Sequence, residues 1–300
     1  MGTTRRVFLK TAGLSAGAAL IATKKAVSAG KLGNAAKGTA AVTKAPPRAS
    51  GIISRDEKQS IPFTLGLASY TFRTFSLDDT IAMTLRLGLE TIALKSVHLP
   101  LDTPLDAVKS AADKIRAAGL VLYGCGVIYM NNEAEIRQAF EYAKAAGIGF
   151  IIGVPAIELL PAAERAVKEY NICLALHNHG PTDKVYPTPE SAFNRIRNLD
   201  YRIGLCLDVG HAARSGLDPA AEAEKYSDRL LDVHIKDVTS ADVQGGPIEI
   251  GRGVIDIPKL LRSLLGYGGW VSLEYEKDEK DPLPGAAESV GYLRGVLDTL

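Results

Sequence analysis

The sequence predicts a (β/α)8 TIM barrel, an α/β fold of eight parallel strands with helices between them, and three observations carry that reading. Eight short apolar runs recur along the chain. Each is followed by a segment whose apolar residues return every three or four positions, the spacing of one helix face. The part able to fold, residues 61–300, is roughly 240 residues long, a size at which eight such units close into a barrel.

The strand runs are 63–68, 89–94, 121–127, 150–154, 172–176, 203–207, 230–235 and 270–273. The helical segments are 76–87, 104–118, 133–146, 161–170, 188–198, 219–226 and 257–265, with a last helix over 284–300. Ser76, Asp218-Pro219 and Asp256 are helix-start residues, and Gly119, Gly147 and Gly266 are stops. Strands that alternate with helices pair in parallel, because the helix supplies the crossover. A doubly wound open sheet is the alternative, but no Gly-x-Gly-x-x-Gly follows the first run.

Ahead of the barrel, Arg5-Arg6 precede Val7-Phe8-Leu9, and no charge falls between Ala12 and Thr23. That stretch is too short and too weakly apolar to give a stable membrane span. Ala26-Val27-Ser28-Ala29 offers small residues for cleavage before Gly30. The pattern resembles the twin-arginine (Tat) signal class, which implies the Tat translocon as a partner and a periplasmic or extracellular mature protein. Residues 1–29 are therefore read as signal, 30–60 as a Pro-, Gly- and Ala-rich linker, and 61–300 as the catalytic domain.

The net charge of +1 conceals an asymmetry. The first 49 residues hold nine Lys and Arg and no acid, which leaves 26 basic against 34 acidic residues from position 50 onward. A body of charge −8 repels nucleic acid, so no nucleic-acid partner is expected. Cys125, Cys173 and Cys206 are odd in number and lie in apolar runs, so they read as buried free thiols. Assembly into a homo-oligomer is left open.

Catalytic residues of such barrels stand at the C-terminal strand ends. There the sequence places Lys95 and His98, His177-Asn178-His179, Asp208 with His211, His234-Ile235-Lys236, and Glu274 with Glu276. All five histidines fall at this one pole. Imidazole with carboxylate is the donor set of a borderline divalent metal. Lys95 and Lys236 each follow a buried strand, where a lysine can act as acid, base or oxyanion partner. Glu276 shares a strand face with Glu274, which is nearer the barrel and preferred. His98, His211, Arg252 in its glycine-flanked loop, and Glu158 are candidate substrate contacts. Tyr70 and Phe72 follow the first strand and fit packing better than stacking on a sugar.

The runs Cys206-Leu207-Asp208-Val209-Gly210-His211, Asp232-Val233-His234-Ile235-Lys236-Asp237, Gly251-Arg252-Gly253-Val254-Ile255-Asp256 and Tyr267–Glu274 resemble the sugar phosphate isomerase/epimerase family of xylose isomerase-like barrels. The family is also similar to inosose dehydratase and endonuclease IV. The resemblance covers about 61–300 and is strongest from Cys173 onward. It implies one divalent ion (Mn, Zn, Mg or Co) held by residues of strands five to eight. Asp208, His234 and Glu274 match that pattern, and His177 stands where many relatives carry Glu. The metal set is then His177, Asp208, His234 and Glu274, with Lys95, His179, Lys236 and Glu274 as catalytic candidates.

The implied activity is isomerisation or epimerisation of a sugar, keto-sugar or polyol by proton abstraction beside a carbonyl. The loss of one strand-five carboxylate makes a lyase or dehydratase acting on a keto-sugar or keto-glycoside the rival. A nuclease like endonuclease IV and a non-catalytic sugar-binding module are the other classes. The acidic body and the need for three ions argue against the nuclease.

Overall fold

The computed structural model describes residues 61–300, and the signal and linker readings fall outside the described residues. Eight strands form a closed, all-parallel barrel. They are β1 (Thr64–Ala68), β2 (Thr91–Leu94), β3 (Val121–Met130), β4 (Phe150–Pro155), β5 (Cys173–His177), β6 (Ile203–Asp208), β7 (Leu230–Ile235) and, after a small hairpin, β10 (Trp270–Leu273). They neighbour one another in sequence order, and β10 closes on β1 through Thr64–Trp270, Leu65–Val271 and Leu67–Leu273. The hairpin joins β8 (Asp237–Val238) to β9 (Pro247–Ile248) outside the barrel.

The strands read as continuous apolar runs because both faces are covered, one by helices and one by the barrel interior. Every residue of β2, β4 and β6 is buried. The helices are α1 (Leu77–Arg86), α2 (Leu105–Ala117), α3 (Glu133–Ala145), α4 (Leu160–Tyr170), α5 (Pro189–Ile196), α6 (Val209–Arg214), α7 (Pro219–Lys225), α8 (Ile257–Ser263) and α9 (Leu283–Leu297). Ser76, Asn132, Thr188, Asp218 and Asp256 each accept an amide hydrogen bond at a helix start. These bonds satisfy donors that have no partner within the helix. Cys125 and Cys206 are buried free thiols, and Cys173 is partly buried.

The expected elements form, with three departures. β3 is ten residues long and runs past the expected end at 127 to Met130, pairing Tyr129 with Val154 and Met130 with Pro155 of β4. α6 begins directly after β6, where no loop or apolar period announced it. The hairpin β8–β9 occupies a stretch to which the sequence assigned no element. Among the described residues, no helix is long and apolar enough to cross a membrane.

Candidate active site

His177, Asp208, His234 and Glu274 meet at the C-terminal pole of the barrel, with one ligand atom from each within 4.8 Å of all the others. The strand register brings them there. His177 and Asp208 are the last residues of β5 and β6, and Asp208 pairs in register with His234. Glu274 immediately follows β10, and its amide donates to the Ile235 carbonyl at 3.0 Å. Four neighbouring strands thus contribute one donor each, and all four side chains are buried.

Asp208 is fixed from two sides. Its Oδ1 accepts from the His211 amide at 2.8 Å and caps α6, which leaves Oδ2 facing the cluster. The Asp-x-x-His spacing is therefore the spacing of a helix cap and its third residue. Asn178 clamps the backbone of Asp208, with Nδ2 donating to its carbonyl at 3.0 Å and Oδ1 accepting from its amide at 2.9 Å.

The donor atoms suit a small divalent ion. His177 Nε2 lies 3.2 Å from His234 Nδ1 and 3.4 Å from Asp208 Oδ2, and His234 Nδ1 lies 3.2 Å from Glu274 Oε2. Tetrahedral ligand bonds of ~2.0–2.1 Å give donor separations of about 3.3 Å. Two imidazole nitrogens turned toward each other can share only one proton, whereas both can serve a cation. Cys206 lies within reach of both histidines, and burial raises its thiol well above the usual range.

Lys236 reaches across the cluster. Its Nζ lies 2.7 Å from Glu274 Oε2 and 2.9 Å from Asp208 Oδ2, and it also pairs with Glu276. Burial alone would lower its pKa, but the carboxylates of Asp208, Glu274 and Glu276 raise it well above the ordinary lysine value. Burial would likewise raise Asp208 and Glu274. His211 and Lys236 beside Asp208, and Lys236 and His234 beside Glu274, reverse that and hold both well below the carboxylate range. Burial lowers His234 too, but Glu274, Asp232 and Asp208 outweigh it and raise the imidazole. For His177 burial wins, and its imidazole is held well below its ordinary value.

Around this cluster stand His179, His211 and Lys95. The His179 ring is 4.4 Å from that of His177 and 5.8 Å from that of His211. Burial first, and His211 second, lower its pKa to about 4, so it is neutral near pH 7. Lys95 donates from Nζ to the Val127 carbonyl at 2.9 Å and lies 5.4 Å from the Tyr70 ring centroid. Burial lowers its pKa against the opposing pull of Glu274 and Glu276.

The remaining candidates lie apart from the four-donor cluster. His98 is half-buried, with Nε2 2.9 Å from the Ser69 carbonyl. Arg252 is exposed and forms a two-pronged ion pair with Glu288 of α9. Glu158 is exposed on the turn Ile157–Leu159. Phe72 is fully buried, as packing requires. Glu276 is drawn inward by Lys236 instead of standing in solvent with its charged neighbours. Sequence reasoning passed over Asn178, Tyr129 and Asp232. Asp232 lies two residues before His234, hence on the same face and deeper, with Oδ2 3.6 Å from His234 Nε2.

Comparison with known proteins agrees with this architecture. A family model for the xylose isomerase-like TIM barrel matches residues 86–296. A rhizopine catabolism protein of Rhizobium meliloti is 31% identical over 152 residues, covering 45% of this chain and 46% of that protein. An inosose dehydratase of Lacticaseibacillus casei is 28% identical over 152 residues, covering 44% of this chain and 50% of that one. The chain thus matches only about half the length of these curated relatives. Among solved structures, a D-tagatose 3-epimerase-like protein superposes with a TM-score of 0.64 at 19% identity, covering 79% of this chain and 98% of that one. A 3-keto-D-glucoside 4-epimerase of E. coli superposes with 0.62 at 16%, covering 78% and 99%. At such identities the superpositions speak for the fold alone. With the family model spanning well over half its length, the chain belongs to the xylose isomerase-like TIM barrel family.

Proposed function

We propose that this protein is a metal-dependent enzyme that removes a proton beside the carbonyl of a keto-sugar or keto-polyol and completes the reaction as an elimination, in the manner of a dehydratase. The observation that carries the reading is the convergence of His177, Asp208, His234 and Glu274, in which the strand-five donor is an imidazole instead of a carboxylate. A divalent ion in this cluster would supply Lewis acidity toward adjacent carbonyl and hydroxyl oxygens.

The chain's own groups then divide the work. Lys236, pinned by its carboxylates, is a fixed cation that stabilises negative charge as it develops on oxygen. Lys95, with its pKa lowered by burial, is the group able to take and return a proton at a carbon or a leaving hydroxyl. His179, neutral and beside His177, can orient a substrate hydroxyl. Epimerisation through paired acid and base carboxylates needs two of them free on opposite faces. Here Asp208 and Glu274 both face Lys236, and β5 offers none. Elimination needs one proton acceptor and a departing hydroxyl. One named relative, an inosose dehydratase, supports the keto-polyol class. A second reading, epimerisation, is favoured only if His179 serves as a second base across from Lys95.

The test is a screen of the metal-loaded protein against free sugars, keto-sugars, inososes and keto-glycosides in deuterated water, followed by NMR. Elimination yields a product that has lost water or an alcohol. Epimerisation yields an inverted centre carrying deuterium. Absence of both product and deuterium exchange across the panel refutes the enzyme reading. Metal analysis should give about one ion per chain, where three would point to a nuclease and none to a binding module.

Export through the Tat route is proposed on Arg5-Arg6 and the uncharged stretch that follows. Replacing both arginines by lysine should leave uncut precursor in the cytoplasm, and normal export of that variant would sink the idea.

A further inference from the structure

We propose that Tyr129 and His179 form an aromatic wall at the mouth of the site that holds the C–H face of an uncharged sugar or cyclitol ring. This inference rests on the carbohydrate reading above and names the substrate class for it.

The wall begins with the extension of β3 to Met130, which pairs Tyr129 with Val154 near the end of β4 and leaves the tyrosine 51% exposed. A single exposed aromatic needs no special explanation. Tyr129 differs because it is held in one orientation beside the cluster. Its ring stacks on His179 with centroids 5.4 Å apart and planes 26° from parallel. Its Oη lies 3.1 Å from His179 Nε2. His179 is fixed in turn, since its amide donates to the Tyr186 carbonyl at 3.0 Å and its ring lies beside His177. The result is a rigid apolar surface with a polar edge, running outward from one of the four donor residues.

A sugar or cyclitol ring has the complementary form, with hydrogens on its faces and hydroxyls around its edge. Such a ring can lay one face on an aromatic surface while its edge hydroxyls hydrogen-bond within the pocket. The surrounding charges favour an uncharged ring. Lys236 is shared among three carboxylates. Among the described residues, Lys95 has no carboxylate within ion-pair distance, and it donates to the Val127 carbonyl. Of the two lysines at this pole, Lys236 is already held by Asp208, Glu274 and Glu276, which leaves Lys95 alone to receive a phosphate.

The test is direct binding to the metal-loaded full chain, read by saturation-transfer NMR and titration, with myo-inositol, D-glucose and glucose 6-phosphate as probes. At least one neutral probe should bind, and more tightly than the phosphate. Tyr129→Ala should weaken that binding about tenfold, the upper end of what one aromatic contact contributes. Tyr129→Phe should stay within about threefold, because it keeps the ring and loses only the hydroxyl. Metal content should be unchanged in both variants. The proposal is overturned if neither neutral probe binds, if Tyr129→Ala binds as well as the parent, if Tyr129→Ala loses the metal, or if the phosphate binds best. Tyr129-dependent binding without turnover of any substrate would leave the wall standing and bring down the elimination reading instead.

Discussion

His177 presents Nε2 to the cluster while the rest of its ring is buried, so His177→Ala removes a donor nitrogen from a site that stays enclosed. Metal affinity should fall by about tenfold or more, since even outer contacts to a metal's ligands are worth roughly 10–100-fold. Chelator competition measures this, and an unchanged affinity would remove His177 from the shell. Asp208→Asn is the complementary case. The amide oxygen can still cap α6, so secondary structure should survive while metal binding collapses. Arg252→Ala should leave turnover within about twofold, because its guanidinium is bound to Glu288 and surface pairs contribute little. A large loss in kcat/KM would restore Arg252 to the substrate pocket. The histidines were legible in the sequence because each ends or follows an apolar run, and the fold rule assigns such positions to one pole. Asn178, Tyr129 and the inward turn of Glu276 were not. Their roles depend on which neighbouring strand lies within reach, and one-dimensional spacing does not carry that.

At the scale of elements, two glycines show why the Asp-x-x-His and Gly-x-Gly runs take the form they do. A Cβ at Gly210 would stand 2.6 Å from Lys236 Cγ, so α6 can lie over the lysine only where this side chain is missing. Gly210→Ala should displace Lys236 and lower kcat, while far-UV circular dichroism stays native. Parent-like kinetics would show that the lysine's path is not critical. Gly253 belongs to a loop wrapped around the buried Asp237 carboxylate. That carboxylate accepts the amides of Gly251 at 3.0 Å, Gly253 at 3.0 Å and Ile255 at 3.2 Å. A Cβ at Gly253 would fall 2.1 Å from Asp237 Oδ1. Gly253→Ala should therefore cost about 1–3 kcal/mol, as forced overpacking does, and urea melts would measure it. The glycines of the Gly-Arg-Gly loop serve Asp237, a role that the spacing alone does not show. The eight strands were readable because burial on both faces makes each a plain apolar run. α6 escaped notice because its six residues are too few to show a helical period.

At the scale of the whole molecule, the buried histidines couple folding to pH. The His179 imidazole titrates at about 4 in the folded chain against an ordinary value of 6.5. Between those values the unfolded chain binds a proton that the folded chain refuses, so stability rises with pH across the window. The contribution is complete above 6.5 and is lost as pH falls toward 4. His177 has the same sign, because burial holds it below its ordinary value as well. Asp232 opposes them. Burial raises its carboxyl to about 6, so its contribution is present at low pH and lost as pH rises through that value. Asp208 and Glu274, held below their ordinary values, add stability that is lost at acid pH, and the raised His234 adds stability that is lost as pH rises. A comparison with His179→Gln cancels the contributions that do not depend on His179, leaving its own and its small effect on His177. In metal-free protein, the parent should lose more stability than the variant between pH 7 and pH 5. The difference should be on the order of 2 kcal/mol, from about 1.4 kcal/mol per pH unit below 6.5. Urea melts of both proteins at the two pH values, with chelator present, measure it. Equal losses in the two proteins would mean that His179 titrates normally, and its place beside the cluster as a neutral imidazole would then have to be given up.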